Sequence, residues 1–144
     1  MRRRLLAFAV LAGAILAGCS TAPKGLAALD REMAQEDALP SYVAEGVNLD
    51  AGSSRLLVEH LGVRYFAANG PDEGSQCIAV VPEDATAWVV GCGGTLSSKA
   101  IVTVSARDGS ETKLVNDRVD ADRPEYQGLT RIHENVLIST LSHS

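Results

Sequence analysis

One predicted hairpin in the middle of the chain constrains the fold more than any other feature. We predict strands over Gln76–Val81 and Thr86–Cys92, joined by a tip at residues 82–85. With Val81 opposite Trp88, side chains alternate between two faces, and both faces are apolar. One face carries Ala79, Val81, Trp88 and Val90, and the other carries Ile78, Val80 and Val89. A strand pair with two apolar faces needs cover on both, so the hairpin predicts a layer on either side of it.

The same register predicts a disulfide bond between Cys77 and Cys92. It places the two cysteines opposite each other, at a separation that a disulfide can span. The bond closes a loop of about 15 residues, for which chain entropy predicts roughly 3 kcal/mol of stabilisation. A metal pair is the weaker alternative, because no histidine lies at ligand spacing from either cysteine. No lysine, arginine or histidine adjoins either cysteine, so we expect a structural bond without redox chemistry.

The segment before this hairpin has a helical pattern followed by a second hairpin. Leu26–Leu39 predicts a helix that ends before Pro40 and lays Leu29 and Met33 on the sheet. Ser54–Asn69 predicts a hairpin that turns at Gly62. In its register Glu59 faces Arg64, Val58 faces Tyr65 and Leu57 faces Phe66.

The C-terminal part predicts further strands. Ala100–Ala106 and Glu111–Val115 form a third hairpin around Asp108-Gly109, a favoured turn dipeptide. Residues 116–128 predict a long exposed loop, and residues 136–138 predict a final strand. The predicted fold class is α+β: an N-terminal helix packed on a mostly antiparallel sheet of about six strands, as a sandwich or partly open barrel, with one disulfide.

The N-terminus has the three-part pattern of a secretory signal. Residues 2–4 are arginines, an apolar run covers Leu5–Leu16, and the small residues Ala17 and Gly18 follow. As a helix, Leu5–Gly18 would span about 21 Å, which is short of the roughly 30 Å hydrocarbon core of a membrane. A permanent transmembrane helix is therefore the weaker interpretation.

The four residues Leu16-Ala17-Gly18-Cys19 resemble the lipobox of bacterial lipoproteins. The resemblance implies cleavage before Cys19 and lipidation of its sulfur, and several acyl chains give stable anchoring. An ordinary cleaved signal with a chance cysteine is the alternative. We predict a signal peptide over 1–18, a lipidated cysteine and tether over 19–25, and one extracytoplasmic domain over 26–144. Such an oxidising location favours the Cys77–Cys92 bond.

The mature domain also resembles small lipoproteins of high-GC Gram-positive bacteria. The residues that carry this resemblance are Arg64-Tyr65-Phe66, Cys77, Trp88-Val89-Val90-Gly91-Cys92 and Glu134-Asn135-Val136. The excess of arginine over lysine is typical of the same GC bias. The resemblance implies a location and no activity.

Charge and side-chain chemistry limit the partners. Without Arg2, Arg3 and Arg4 the chain has 10 basic and 18 acidic residues, a net charge of −8, which argues against nucleic-acid binding. One acidic loop has calcium-ligand residue types, but Arg118, Arg123 and Pro124 interrupt it, so we expect a solvated loop. Its candidate ligands are Asn116, Asp117, Asp120, Asp122 and Glu125. His133-Glu134 lacks the second histidine of a zinc-protease motif, and we predict no metal and no cofactor.

Two functional hypotheses remain. The first is a lipid-anchored binding or interaction module whose partner is a protein or a small ligand. The alternative is a small enzyme with scattered catalytic residues, for which Glu59, His60 and Tyr65 are the first candidates. We favour the first and assign no catalytic residue, because the sequence has no recognisable pairing of a nucleophile with a base. A deep pocket with convergent acid and base groups would favour the enzyme, and an apolar surface would favour binding.

Overall fold

Two antiparallel sheets make up the fold. The computed structural model describes residues 25–96 and 99–139, and in this part of the chain eight strands form two sheets of four. The first sheet contains, in spatial order, β1 (Asp50–His60), β2 (Val63–Asn69), β3 (Ser75–Val81) and β4 (Val89–Gly94). The second contains β5 (Ala100–Ser105), β6 (Glu111–Val115), β8 (Val136–Ser139) and β7 (Leu129–His133). The mostly antiparallel architecture with one disulfide is confirmed.

The main core lies between the two sheets. Its buried residues come from both sheets and from the N-terminal segment: Leu26, Tyr65, Ala67, Ile78, Val80, Ile101, Val104, Leu114 and Val136. The sheets approach most closely where β4 passes beside β5. Glycine makes this approach possible, because a Cβ at Gly93 would collide with the carbonyl oxygen of Ile101. A Cβ at Gly91 would likewise collide with the side chain of Val104.

The outer face of the first sheet has a core of its own. Val43 is fully buried against Phe66, Ala79 and Val81, and Trp88 packs at the edge of this cluster. Residues 39–47, which include the short helix α1 (Ser41–Ala44), provide the cover. The two apolar faces predicted for the central hairpin are therefore confirmed, and each is covered.

The predicted helix over Leu26–Leu39 is wrong. The segment contains two short 3-10 turns, Ala27–Asp30 and Gln35–Asp37, and Met33 is exposed rather than packed on the sheet. The cause is the burial of Asp37. Its carboxylate is buried and accepts hydrogen bonds from the amides of Ala34 and Leu56 and from the Arg31 guanidinium. These bonds hold the segment along β1 in an irregular conformation.

The loop over residues 116–128 is less exposed than predicted. Alternate residues, Val119 and Ala121, pack on the outer face of the second sheet together with the buried Tyr126. They cover Val115 and Leu137. The following residues, Leu129–His133, form β7, a strand that the sequence did not predict. The second sheet therefore gains an edge strand, and the described residues contain eight strands where the predicted fold had about six.

The predicted registers hold, apart from one residue. Val80 pairs with Val89 and Cys77 pairs with Cys92, as the central hairpin predicted. The second strand is Val89–Gly94 rather than the predicted Thr86–Cys92, because residues 83–87 form turns and bends. Glu59 pairs with Arg64 and Val58 with Tyr65, but Leu56 rather than Leu57 lies opposite Phe66. An irregularity in β1 between Leu56 and Val58 accounts for the shift, since a bulge adds one residue to one strand.

Candidate functional site

A cleft opens between the two sheets at the end where three hairpin turns meet. The turns are residues 61–62, 82–88 and 106–110, and we call this end of the sandwich the cleft end. The cleft has a volume of about 360 Å³. It adjoins the main core, since Tyr65 and Val80 belong to both. Its lining residues are His60, Leu61, Val63, Tyr65, Val80, Pro82, Ala87, Val89, Ala106, Arg107, Asp108, Ser110, Glu111, Thr112, Ile138 and Ser139.

The cleft combines apolar walls with polar residues from the turns. Val63, Val80 and Val89 line it from the first sheet, and Ile138 lines it from the second. His60, Arg107 and Ser110 supply polar chemistry, together with the carboxylates of Asp108 and Glu111. Cavities of this size with apolar walls and few polar groups are typical of small-molecule sites. The arrangement is suited to hold an apolar body with a polar group at one end.

Tyr65 is the most deeply buried polar side chain in the cleft wall. Only 5% of the residue is exposed, and burial raises the pKa of its phenol. The phenol is therefore neutral at physiological pH, and its hydroxyl can both donate and accept a hydrogen bond. Tyr65 can provide polar recognition without a charge.

The structure brings together two of the three candidate catalytic residues. His60 and Tyr65 both line the cleft, whereas Glu59 lines a separate shallow depression with Arg64 and Glu83. Successive residues of a strand point to opposite faces, so His60 and Glu59 separate as neighbours in β1. Within residues 25–96 and 99–139, no hydrogen bond joins His60 to a carboxylate.

Two covalent modifications were predicted, a disulfide between Cys77 and Cys92 and lipidation of Cys19. The Cys77–Cys92 disulfide is present, with the two Cα atoms 3.9 Å apart, and Cys77 is fully buried. It lies at the start of β3, far along that strand from the cleft. Cys19, the predicted lipidation site, lies outside the described residues. The described part of the chain contains no helix that is both long and apolar enough to cross a membrane.

The carboxylates of the acidic loop form hydrogen bonds and an ion pair with other groups of the protein. Asp117 accepts hydrogen bonds from the amide of Ala27 and from the Asn135 side chain, and Asp120 accepts one from the amide of Asp122. Glu125 pairs with Arg123 at 3.2 Å. Across residues 25–96 and 99–139, no three histidine, cysteine, aspartate or glutamate residues are grouped to hold a metal ion.

The contacts of His133 indicate a structural role for its side chain. Its Nδ1 accepts a hydrogen bond from the amide of Asn135 at 3.1 Å, and burial lowers its pKa. Both observations favour the neutral ring. Asn135 in turn donates to the carbonyl of Val115, so this corner links β6 to the turn before β8.

Sequence reasoning missed the turn residues that line the cleft, among them Ala87, Arg107 and Ser110. They come from different hairpins, and no motif links them. One signal was available. Asp84-Ala85-Thr86 and Asp108-Gly109-Ser110 share a pattern in which the aspartate accepts hydrogen bonds from the residue two positions later. The pattern marks two tight turns, but it does not show that they lie side by side.

No protein-family model, no curated protein and no solved structure matches this chain.

Proposed function

We propose that this protein is a lipid-anchored binding module on the extracytoplasmic face of the cell membrane. Its ligand is a small, largely apolar molecule with one polar group, and its binding site is the cleft between the sheets. The cleft, with its walls of Val63, Val80, Val89 and Ile138, is the observation that carries the proposal.

The location rests on the sequence, and the disulfide supports it. The lipobox-like residues 16–19 imply an acylated Cys19, and disulfides persist in oxidising compartments outside the cytoplasm. The six residues after Cys19 reach at most roughly 20 Å to Gly25. Gly25 lies at the end of the sandwich opposite the cleft. An anchor at Cys19 would therefore attach the domain by the end opposite the cleft.

Binding is favoured over catalysis by the chemistry of the cleft. A general base must lie within hydrogen-bond reach of an orienting or reacting group. His60 shares the cleft with Tyr65, but the third candidate, Glu59, lies in a different depression.

Two carboxylates, Asp108 and Glu111, also line the cleft, but Asp108 accepts hydrogen bonds from Ser110 and Glu111 pairs with Lys113. Within residues 25–96 and 99–139 neither carboxylate is hydrogen-bonded to His60, so the cleft has recognition groups without an assembled acid–base pair.

Filling the cleft tests the binding site. The full-length protein in a nonionic detergent is titrated with a fluorescent fatty acid, and Ala87→Trp is compared with Ala85→Trp. Ala87 lines the cleft, whereas Ala85 lies in the same turn outside it. We expect Ala87→Trp to weaken binding about tenfold or more, because the indole occupies ligand volume. Equal affinity in the two variants, or no binding to the unmodified protein, would contradict the proposed site.

Removing the anchor cysteine tests the location. Cys19→Ser should abolish incorporation of labelled palmitate and shift the protein out of the detergent phase or leave it unprocessed. Cys77→Ser is the matched control, since it removes a cysteine that is predicted to remain unlipidated. A Cys19→Ser protein that still carries label would contradict the anchor.

A further inference from the structure

The turn between β1 and β2 contains an unusual residue. Leu61 and Gly62 are its two central residues, because His60 pairs directly with Val63. Their φ angles are 50° and 76°, so both residues have the left-handed conformation. A two-residue loop of this kind matches the twist of the strands that it joins, and it favours Asn-Gly, Asp-Gly or Gly-Gly. The hairpin therefore explains the conformation at position 61, but it does not explain a leucine there.

Neither conformation nor burial stabilises Leu61. A left-handed φ brings Cβ close to a carbonyl oxygen, and glycine, asparagine and aspartate adopt it more readily than other residues. The side chain is 89% exposed, the highest value for a large apolar residue within residues 25–96 and 99–139. A single exposed apolar residue is common on protein surfaces, so exposure alone would indicate nothing. The left-handed backbone is a separate observation, and unfavourable conformations of this kind occur mostly at functional sites.

The position of Leu61 connects it to the cleft. It lines the cleft together with Val63, Val80 and Val89. Leu61 is exposed and Val80 is buried, so Leu61 lies at the mouth of the cleft and Val80 lies deeper. A ligand in the cleft that extends to the mouth would cover the leucine side chain. The apolar area that it removes from water would then contribute to affinity.

Arg118 provides a comparison within the same molecule. It is the other non-glycine residue with a positive φ in the described part of the chain, at 59°. It is also exposed, but it lies in the loop over residues 116–128, and its amide donates to Glu134 Oε1 at 3.4 Å. Arginine is compatible with water at such a position, whereas leucine is not. The apolar side chain at the cleft mouth is therefore the feature that calls for a binding role.

We propose that Leu61 is a ligand-binding residue of the cleft, and that its side chain covers the apolar body of the bound ligand at the cleft mouth. Because this role rests on the proposed binding function, it adds to that function the residue that recognises the outer part of the apolar body. Asparagine would suit the turn better but would lack the apolar contact. Leucine makes the turn less stable and the binding tighter.

Substitution of Leu61 tests this role in the full-length protein, with the same detergent and fluorescent fatty acid as for Ala87→Trp. Leu61→Asn should raise the melting temperature by about 2–5 °C, because asparagine tolerates the left-handed conformation. It should also weaken binding about threefold to tenfold, because the apolar contact is lost. Leu61→Met keeps an apolar side chain of similar volume, and its affinity should stay within about twofold of that of the unmodified protein.

Arg118→Asn is the matched control, because it places asparagine at the other left-handed position. It should raise the melting temperature without changing affinity, which separates the lost contact from an effect of added stability. Unchanged affinity in Leu61→Asn, while Ala87→Trp still weakens binding, would overturn the role of Leu61 and leave the proposed site intact. Equal weakening by Leu61→Asn and Leu61→Met would overturn the role as well, since apolar chemistry would then not matter. Failure of the unmodified protein to bind the probe would contradict the proposed function and this role together.

Discussion

At the end of the sandwich that contains the disulfide, contacts join segments far apart in the chain, whereas at the cleft end most side-chain hydrogen bonds stay within one turn. We call the first the disulfide end. There Cys77 is bonded to Cys92, and Asp117 joins Ala27 to Asn135. At the cleft end, Asp84 bonds within its own turn to Thr86, and Asp108 does the same to Ser110.

The difference explains why the cleft is open. Long-range contacts join the two sheets and the N-terminal segment at the disulfide end. At the cleft end the turns are held mainly by local hydrogen bonds, and one longer-range bond, from the amide of Glu111 to Ser139 Oγ, joins β6 to β8. Regions with few long-range contacts have lower local stability and commonly carry binding functions. One end of the protein therefore supplies stability, and the other has room for a ligand.

Removing the disulfide is the largest expected perturbation of this division. Replacing both Cys77 and Cys92 with alanine should lower the free energy of unfolding by roughly 2–5 kcal/mol. Denaturant unfolding measures the loss, and affinity for the fatty-acid probe should change little under conditions where the variant is folded. A thiol count on the denatured, non-reduced protein that keeps Cys77 and Cys92 is the control. Two free thiols there, or a loss of probe binding as large as that in Ala87→Trp, would contradict the assignment.

Gly93→Ala should have the next largest effect, because β4 and β5 approach closely at the disulfide end. The added Cβ would meet the Ile101 carbonyl, and a backbone atom cannot move aside as a side chain can. Overpacking of this kind costs about 1–3 kcal/mol, and we expect the upper part of that range. Gly94→Ala is a matched control in the same strand, since nothing lies near its Cβ position. Equal melting temperatures for the two variants would show that the sheets are not in close contact there.

Structure that depends on contacts between residues close in sequence was predicted well, and structure that depends on contacts between distant residues was not. The register of the central hairpin was predicted correctly, although its second strand begins at Val89 rather than Thr86, because the alternation and the cysteine pair lie within residues 76–92. The helix over Leu26–Leu39 was predicted wrongly because the burial of Asp37 depends on Arg31 and on Leu56, which lies 19 positions further along the chain. A periodic pattern does not show such a contact.

The candidate site was beyond prediction for the same reason. Ala87, Arg107 and Ile138 share a cleft only because two sheets stack, and the sequence predicted the hairpins without their stacking order.

The smallest expected effect concerns Asp37, which fastens the N-terminal segment to β1 between the two ends. Hydrogen bonds from the Arg31 guanidinium, together with those from the amides of Ala34 and Leu56, hold the pKa of Asp37 well below its usual range. In the unfolded chain the carboxyl has its ordinary pKa of about 3.9. A depressed folded pKa contributes stability above the unfolded pKa, and that contribution is lost as the pH falls through the acidic range towards the folded value. Stability should therefore decline below about pH 4, and Asp37→Asn should remove that part of the decline.

At neutral pH, Asp37→Asn should cost about 1–2 kcal/mol, because the amide replaces one of two acceptor oxygens with a donor that faces Arg31 or a backbone amide. Glu36→Gln is the matched control, since Glu36 is the exposed neighbour. Hydrogen exchange of single amides then shows whether the loss of stability is confined to the N-terminal segment or extends to the cleft end. The amide of Leu56, which donates to Asp37, should lose protection in Asp37→Asn, and the amides of Val80 and Val89 beside the cleft should keep theirs. Equal loss at all three amides would mean that the N-terminal segment stabilises the cleft end as well, and the two ends would then not be independent.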